Sequence, residues 1–169
     1  MKNYTRIIFV AQSGNSREVM AQAILKAIFT ERGIGDYPEL LARGLLVQFP
    51  EPMNQKAQAV LTAKLADVTG FSGNGMMSEQ IKREEITEDT LVLTMETGHF
   101  KRLHDMFPDV DPTQIEVLSE LVGDELEIVD PYGGQLANYG LCYENLKRSL
   151  EKLANMMYPQ SKEEGNGRP

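Results

Sequence analysis

Thr5-Arg6-Ile7-Ile8-Phe9-Val10-Ala11-Gln12-Ser13-Gly14-Asn15-Ser16-Arg17 begins as an almost unbroken apolar run and stops abruptly in small polar residues. A β-rich run with no polar alternation is the pattern of a strand covered on both faces, which is a central strand of a parallel sheet. From Arg17 to about Phe29 the apolar residues Val19, Met20, Ala23, Ile24, Ala27 and Ile28 recur at helical spacing and predict one buried stripe. The unit therefore reads strand, tight turn, helix. Backbone N–H groups in such a turn, leading straight into a helix N-terminus, form a concave nest for a phosphate-like oxyanion. Gln12, Ser13, Gly14, Asn15 and Ser16 are the candidate cradle, and Arg17 adds a planar pair of donors matched to two oxyanion oxygens.

Outward from this unit, Gly33 and Gly35 break the helix, and Leu45-Leu46-Val47-Gln48-Phe49, closed by Pro50 and Pro52, is the expected second strand. Asn54 supplies a side-chain acceptor for a helix from Gln55 to about Leu65. Gly70 to Gly75 is turn chemistry, and Ser78 to Ile86 reads as a short polar helix whose acidic end, Glu84 to Asp89, is solvated. Thr90 to Met95 is a second buried strand, followed by a helix from Thr97 to Phe107 and a short strand over Ile115 to Leu118. Val129-Asp130-Pro131-Tyr132-Gly133-Gly134 is a loop, stiff at Pro131 and permissive at the glycines. Tyr139, Tyr143, Leu146, Leu150, Leu153 and Met157 mark the last helix. Alternating strands and helices imply an α/β fold with a mostly parallel sheet, helices on both faces and a ligand site beyond the carboxyl ends of the strands. Residues 1–157 are expected to form one domain, and residues 158–169, with nothing to bury, a disordered tail.

At 169 residues, 41% hydrophobic and 25% charged, the chain has the balance of one globular domain. A net charge of -8 argues against a duplex nucleic-acid binder, whose affinity rests on many lysines and arginines. No apolar run is long enough to cross a bilayer, and the start does not read as a signal peptide, so the expectation is a soluble cytoplasmic protein with no membrane partner. Cys142 alone makes neither a disulfide nor a cysteine-rich metal site; it is expected as a small core residue on the last helix, away from the loop. His99 and His104 stand five residues apart, a spacing that does not put them on one helix face, so both are expected at the surface and no metal or cofactor is proposed. The nine methionines are expected in the core, with Met76-Met77 as an exposed contact.

The order of these features resembles the low-molecular-weight protein tyrosine phosphatases, whose signature is C-x5-R after a hydrophobic strand. Ile7 to Val10, the turn closing at Arg17 and Met20-Ala21 on the helix carry the likeness. Glu51-Pro52-Met53-Asn54-Gln55-Lys56-Ala57 resembles the start of the family's second helix, Leu91 to Glu96 its central strand and Asp130-Pro131-Tyr132 its acid loop. The likeness runs along nearly the whole chain and implies a three-layer sandwich around a mostly parallel four-stranded sheet. It also implies a mechanism: a thiolate attacks phosphorus, an aspartate protonates the departing phenolate, and water then hydrolyses the phosphocysteine. By position, Arg17 would hold the phosphoryl oxygens, Asp130 would be acid and then base, and Tyr132 would line the entrance.

The nucleophile's position is Ala11, whose methyl group neither ionises nor attacks. Two further departures accompany it. Gly14-Asn15 lies one position later than the family's Gly-Asn, and Glu18 replaces the serine that supports the thiolate. A carboxylate there suits the helix dipole but opposes a bound dianion if it points inward. Ser13 and Ser16 have no assigned base and do not replace the thiol. The expected activity is binding of phosphotyrosine, a small phosphomonoester, or inorganic phosphate or sulfate without turnover. Two origins stay open: a phosphatase disabled at one position to trap its ligand, or a natural pseudophosphatase serving as a phosphoprotein-binding or regulatory module. A thiol-linked arsenate reductase would need more cysteines, and a flavodoxin-like nucleotide binder is the remaining alternative.

Overall fold

The structure, a computed structural model, describes residues 1–160; the expected tail beyond Gln160 lies outside the described residues. Strands β1 (Arg6–Ala11), β2 (Glu39–Gly44), β3 (Thr90–Thr94) and β4 (Ile115–Val117) form one four-stranded sheet in the order β2-β1-β3-β4. Every pairing is parallel. The helices are α1 (Arg17–Glu31), α2 (Gln55–Thr69), α3 (Thr97–Met106), α4 (Leu118–Val122) and α5 (Leu136–Met157).

The pleat of β1 explains the layers. Ile7 and Phe9 point into one core with α1, α2 and α5, while Ile8 and Val10 point into a second with Leu103 of α3, Ile81 and Ile115. Both faces of the central strand are thus covered, as its continuous apolar run predicts, and the result is the expected three-layer sandwich. On α2, Asn54 Oδ1 accepts hydrogen bonds from Lys56 N–H at 3.0 Å and Ala57 N–H at 3.1 Å, and Gly70 ends the helix at φ 70°.

Four sequence expectations are corrected. The second strand is Glu39–Gly44, in register from Arg6↔Glu39 to Ala11↔Gly44, and not Leu45 to Phe49. β2 lies at the sheet edge, so it tolerates Glu39 and Arg43 and lacks the apolar signature of a central strand. In the segment expected as a strand, Leu45 is buried but Leu46 and Phe49 are exposed, Phe49 at 78%. Leu45 N–H and Leu46 N–H donate to the carbonyls of Ala11 and Gln12 at 2.9 and 3.1 Å, which lays these apolar residues beside the polar turn. Their apolarity marks a rim and not a core.

Ser78 to Ile86 is not an α-helix; only a 3-10 turn over Arg83–Glu85 forms. Gly44 captures this segment in extended form by donating to Glu79 O at 2.8 Å and accepting from Ile81 N–H at 3.0 Å. Gln80 reinforces it, accepting from Val47 N–H and donating to Leu45 O. Within the acidic stretch, Glu85 is half-buried and takes the Arg43 guanidinium at 2.8 Å, so that carboxylate is not simply solvated. Met77 is exposed and pairs with Pro52 in an isolated bridge, whereas Met76 packs partly into the main core.

Phe9→Ala is expected to lower the free energy of unfolding in urea by about 3–5 kcal/mol, because it opens a cavity between β1 and the helices. Phe49→Ala should change it by no more than about 0.5 kcal/mol, since that ring is already in water.

Candidate functional site

β1 hands the chain to α1 through Gln12 to Ser16, at the carboxyl edge of the sheet. Gly14 adopts φ 77° where a Cβ would lie 3.1 Å from Gly44 N, so the close pass of the turn against β2 requires glycine. Ser13 Oγ donates to Asn15 Oδ1 at 2.7 Å, and Asn15 O accepts from Asn54 N–H at 2.9 Å. Asn54 Nδ2 in turn donates to the Tyr139 hydroxyl at 3.1 Å, so the turn, the start of α2 and α5 are joined.

Arg17 is the centre of the site. Its side chain is 3% exposed, and it donates to Ile128 O at 2.6 Å and Glu96 Oε1 at 3.0 Å, with Asp130 Oδ2 at 3.6 Å. The two residues read from sequence as phosphoryl holder and acid, Arg17 and Asp130, therefore meet. Asp130 Oδ1 also accepts from Tyr132 N–H at 3.0 Å, which fixes the turn at Pro131. Tyr132 is 85% exposed and lies with Asp130, Asn138, Leu141 and Cys142 around a cavity of about 310 Å³. Beneath the turn, Ala11 is buried in the main core.

Glu96 and His99 belong to the site and were not recognised from sequence. Glu96 follows the buried β3 at the carboxyl edge, which was the available signal; its Oε2 lies 3.3 Å from His99 Nε2. His99 is buried and not at the surface, since the first turn of α3 faces Arg17. Burial holds its imidazole below the usual range, and Arg17 adds to that against Glu96, Asp130 and Glu127. Its Nδ1 has no hydrogen-bond partner among the described residues. His104 is half-buried, with its ring edge-on to Phe100 at 4.5 Å. Glu127 caps α3, accepting from Thr97 N–H at 2.7 Å and from the Thr97 hydroxyl.

Glu18 points inward. It is 0% exposed, and its Oε1 accepts from Ser16 N–H at 2.6 Å, one of the amides expected to cradle an oxyanion. Glu18 Oε2 and Ser16 Oγ are buried without partners among the described residues. Burial pushes this carboxyl up from 4.5 to about 7, against the lowering effect of the Ser16 and Glu18 amides and Arg17. Cys142 is a core residue, but it is not away from the loop: its sulfur feels the charges of Arg17, Asp130 and Glu18. Burial pushes its thiol up to about 12, which rules it out as an ionised nucleophile near neutral pH. Among the described residues no group of three or more His, Cys, Asp or Glu side chains is placed to hold a metal, and no helix is long and apolar enough to cross a membrane.

A parallel sheet whose central strand ends in an arginine-closed turn, faced by an aspartate from a late loop, defines an α/β phosphatase-type scaffold. The family model for the low molecular weight phosphotyrosine protein phosphatases matches residues 6–163, and the chain belongs to that family. It is similar to a protein-arginine-phosphatase of Geobacillus stearothermophilus, 26% identical over 152 residues that cover 90% of this chain and 95% of the relative. It is also similar to the low molecular weight protein-tyrosine-phosphatase PtpB of Staphylococcus haemolyticus (strain JCSC1435), 27% identical over 149 residues, 88% of this chain and 96% of the relative. Among solved structures, a mutant of YwlE from Bacillus subtilis superposes with a TM-score of 0.80 at 25% identity, covering 90% of this chain and 98% of that one.

Because Glu18 titrates near 7 and not near 4.5, the native state holds a proton that the unfolded chain releases first, and stability is lost as pH rises across this window. The loss amounts to about 3 kcal/mol at full ionisation. Glu18→Gln should therefore raise the Tm at pH 8 and give little or no gain at pH 4.5, measured by calorimetry.

Proposed function

We propose that this chain is a natural pseudophosphatase: it binds a phosphorylated side chain, phosphotyrosine foremost, or a small phosphomonoester, and does not turn it over. The observation that carries the reading is Arg17 within 3.6 Å of Asp130 at the turn that begins with Ala11. Oxyanion-holding and acid groups are together, and the attacking group is missing. The exposed Tyr132 beside the adjoining cavity supports an aromatic side chain as the group presented with the phosphate.

Glu18 favours natural divergence over an enzyme disabled as a trap. A trap needs only the thiol removed, whereas here a second position has changed and the new carboxylate is buried against a cradle amide. A thiolate beside that carboxylate would be disfavoured, because like charges at close range do not both ionise. Loss of the thiol and gain of Glu18 thus suit one another. The acidic chain with its single buried cysteine is placed in the cytoplasm on the same reading.

With p-nitrophenyl phosphate the chain should show no turnover above background. Ala11→Cys alone should gain little, and Ala11→Cys combined with Glu18→Ser should gain clear hydrolysis. Arg17→Ala should weaken binding of phenyl phosphate by about 10- to 100-fold, the worth of a charged hydrogen bond. Hydrolysis by the unaltered chain, or a folded Arg17→Ala protein that binds as before, would overturn the proposal.

A further inference from the structure

The cradle of an oxyanion site is ordinarily a set of free amide donors, and here one of them is engaged from within. Ser16 N–H points at Glu18 Oε1 at 2.6 Å, at the start of a 15-residue helix whose dipole favours negative charge there. The second carboxylate oxygen and the Ser16 hydroxyl are both fully buried beside it and unpartnered among the described residues. An unpaired buried oxygen is unfavourable, so this arrangement leaves hydrogen-bonding capacity unmet at the start of the helix. Arg17, which would offset an added anion, is already held by Glu96 and Asp130.

We propose that Glu18 determines which oxyanion the turn accepts: it admits one that shares a proton with the carboxylate and rejects one that brings only charge. This rests on the reading of the turn as a phosphate cradle. Glu18 Oε2 is closed to solvent in this structure, so a ligand meets it only once the turn opens around it. With one proton between them, either the ligand's P–OH then donates to Glu18 Oε2, or a protonated Glu18 donates to a phosphoryl oxygen; both descriptions contain the same atoms and the same net charge. With no proton available, two anions face each other across Ser16.

The groups around Glu18 set the direction. Arg17 on α1 favours the ionised carboxylate, Asp130 on the loop before α5 opposes it, and Cys142 on α5 stays a neutral thiol. At the start of α3, Glu96 engages both Arg17 and His99, and His99, held toward its neutral form by burial, brings no free positive charge. Burial decides the balance and lets Glu18 carry a proton up to near neutral pH.

Three probes separate the cases. Inorganic phosphate keeps a proton well above pH 8; phenyl phosphate releases its last proton at a pH of about 6; sulfate carries none. At pH 8.5 the unaltered protein should bind phosphate in preference to phenyl phosphate and sulfate, by at least tenfold in calorimetric titration. Between pH 7 and 9 its affinity for phenyl phosphate should fall about tenfold per pH unit, the signature of one proton taken up with the ligand. Glu18→Gln, or Glu18→Ser, should bind all three and lose both the pH dependence above 7 and the preference for phosphate.

Calorimetry of the unaltered protein in buffers of different ionisation enthalpy gives the same test without a variant, and should register close to one proton absorbed per phenyl phosphate at pH 8. Binding of all three probes at pH 8.5 with no proton uptake would sink the role of Glu18 while leaving the cradle intact. Failure of the unaltered protein and of both variants to bind phosphate or phenyl phosphate at any pH would remove the cradle itself, and this inference with it.

Discussion

A guanidinium sealed inside an acidic protein is the constraint on which this architecture turns. Arg17 sits at the first turn of α1, almost without solvent, and an unpaired charge there would be untenable. It is matched by Glu96 at the start of α3, by the Ile128 carbonyl and by Asp130. Those partners come from two segments far from Arg17 in sequence, the start of α3 and the loop before α5, so satisfying one buried charge ties both to the carboxyl edge of the sheet.

The same cluster decides the electrostatic character of the site. Glu18, Glu96, Asp130 and Glu127 surround one permanently positive group, since His99 is held toward its neutral form by burial and by Arg17 itself. Helix dipoles, turn amides and the exposed Arg102, whose Nη1 lies 3.5 Å from Gln12 Oε1, supply the remaining positive potential, and Glu18 draws on one of those amides. An arrangement evolved for thiol chemistry needs the reverse, with every nearby donor lowering the pKa of the nucleophile. On the proposed reading, alanine at position 11 and a carboxylate at position 18 belong to one electrostatic change.

Local pattern made much of the fold legible. The β1 run, the α1 and α5 stripes, the Asn54 cap and the buried β3 each rest on periodicity or capping that neighbours in sequence determine. β2 escapes a reading by apolarity because an edge strand need not be apolar, while Leu46 and Phe49 owe their apolarity to a rim position that only the ladder from Ala11 and Gln12 reveals. Ser78 to Ile86 lost its helix to the backbone of Gly44, a partner more than thirty residues away. The burial of His99 is hidden from sequence for a similar reason: spacing along a helix fixes which residues share a face, but not which face meets a buried arginine.

By itself the sequence determined the layered α/β plan, an alanine without a titratable group at position 11 and the choice of Arg17 and Asp130 as candidates for one site, because strand burial, side-chain chemistry and family spacing are properties of residues in order. Only the tertiary structure decided that Glu18 turns inward onto Ser16 N–H and that Glu96 and His99 complete the surroundings of Arg17. A side chain's direction, and the proton it keeps, depend on desolvation by segments distant in the chain. Those are set by packing.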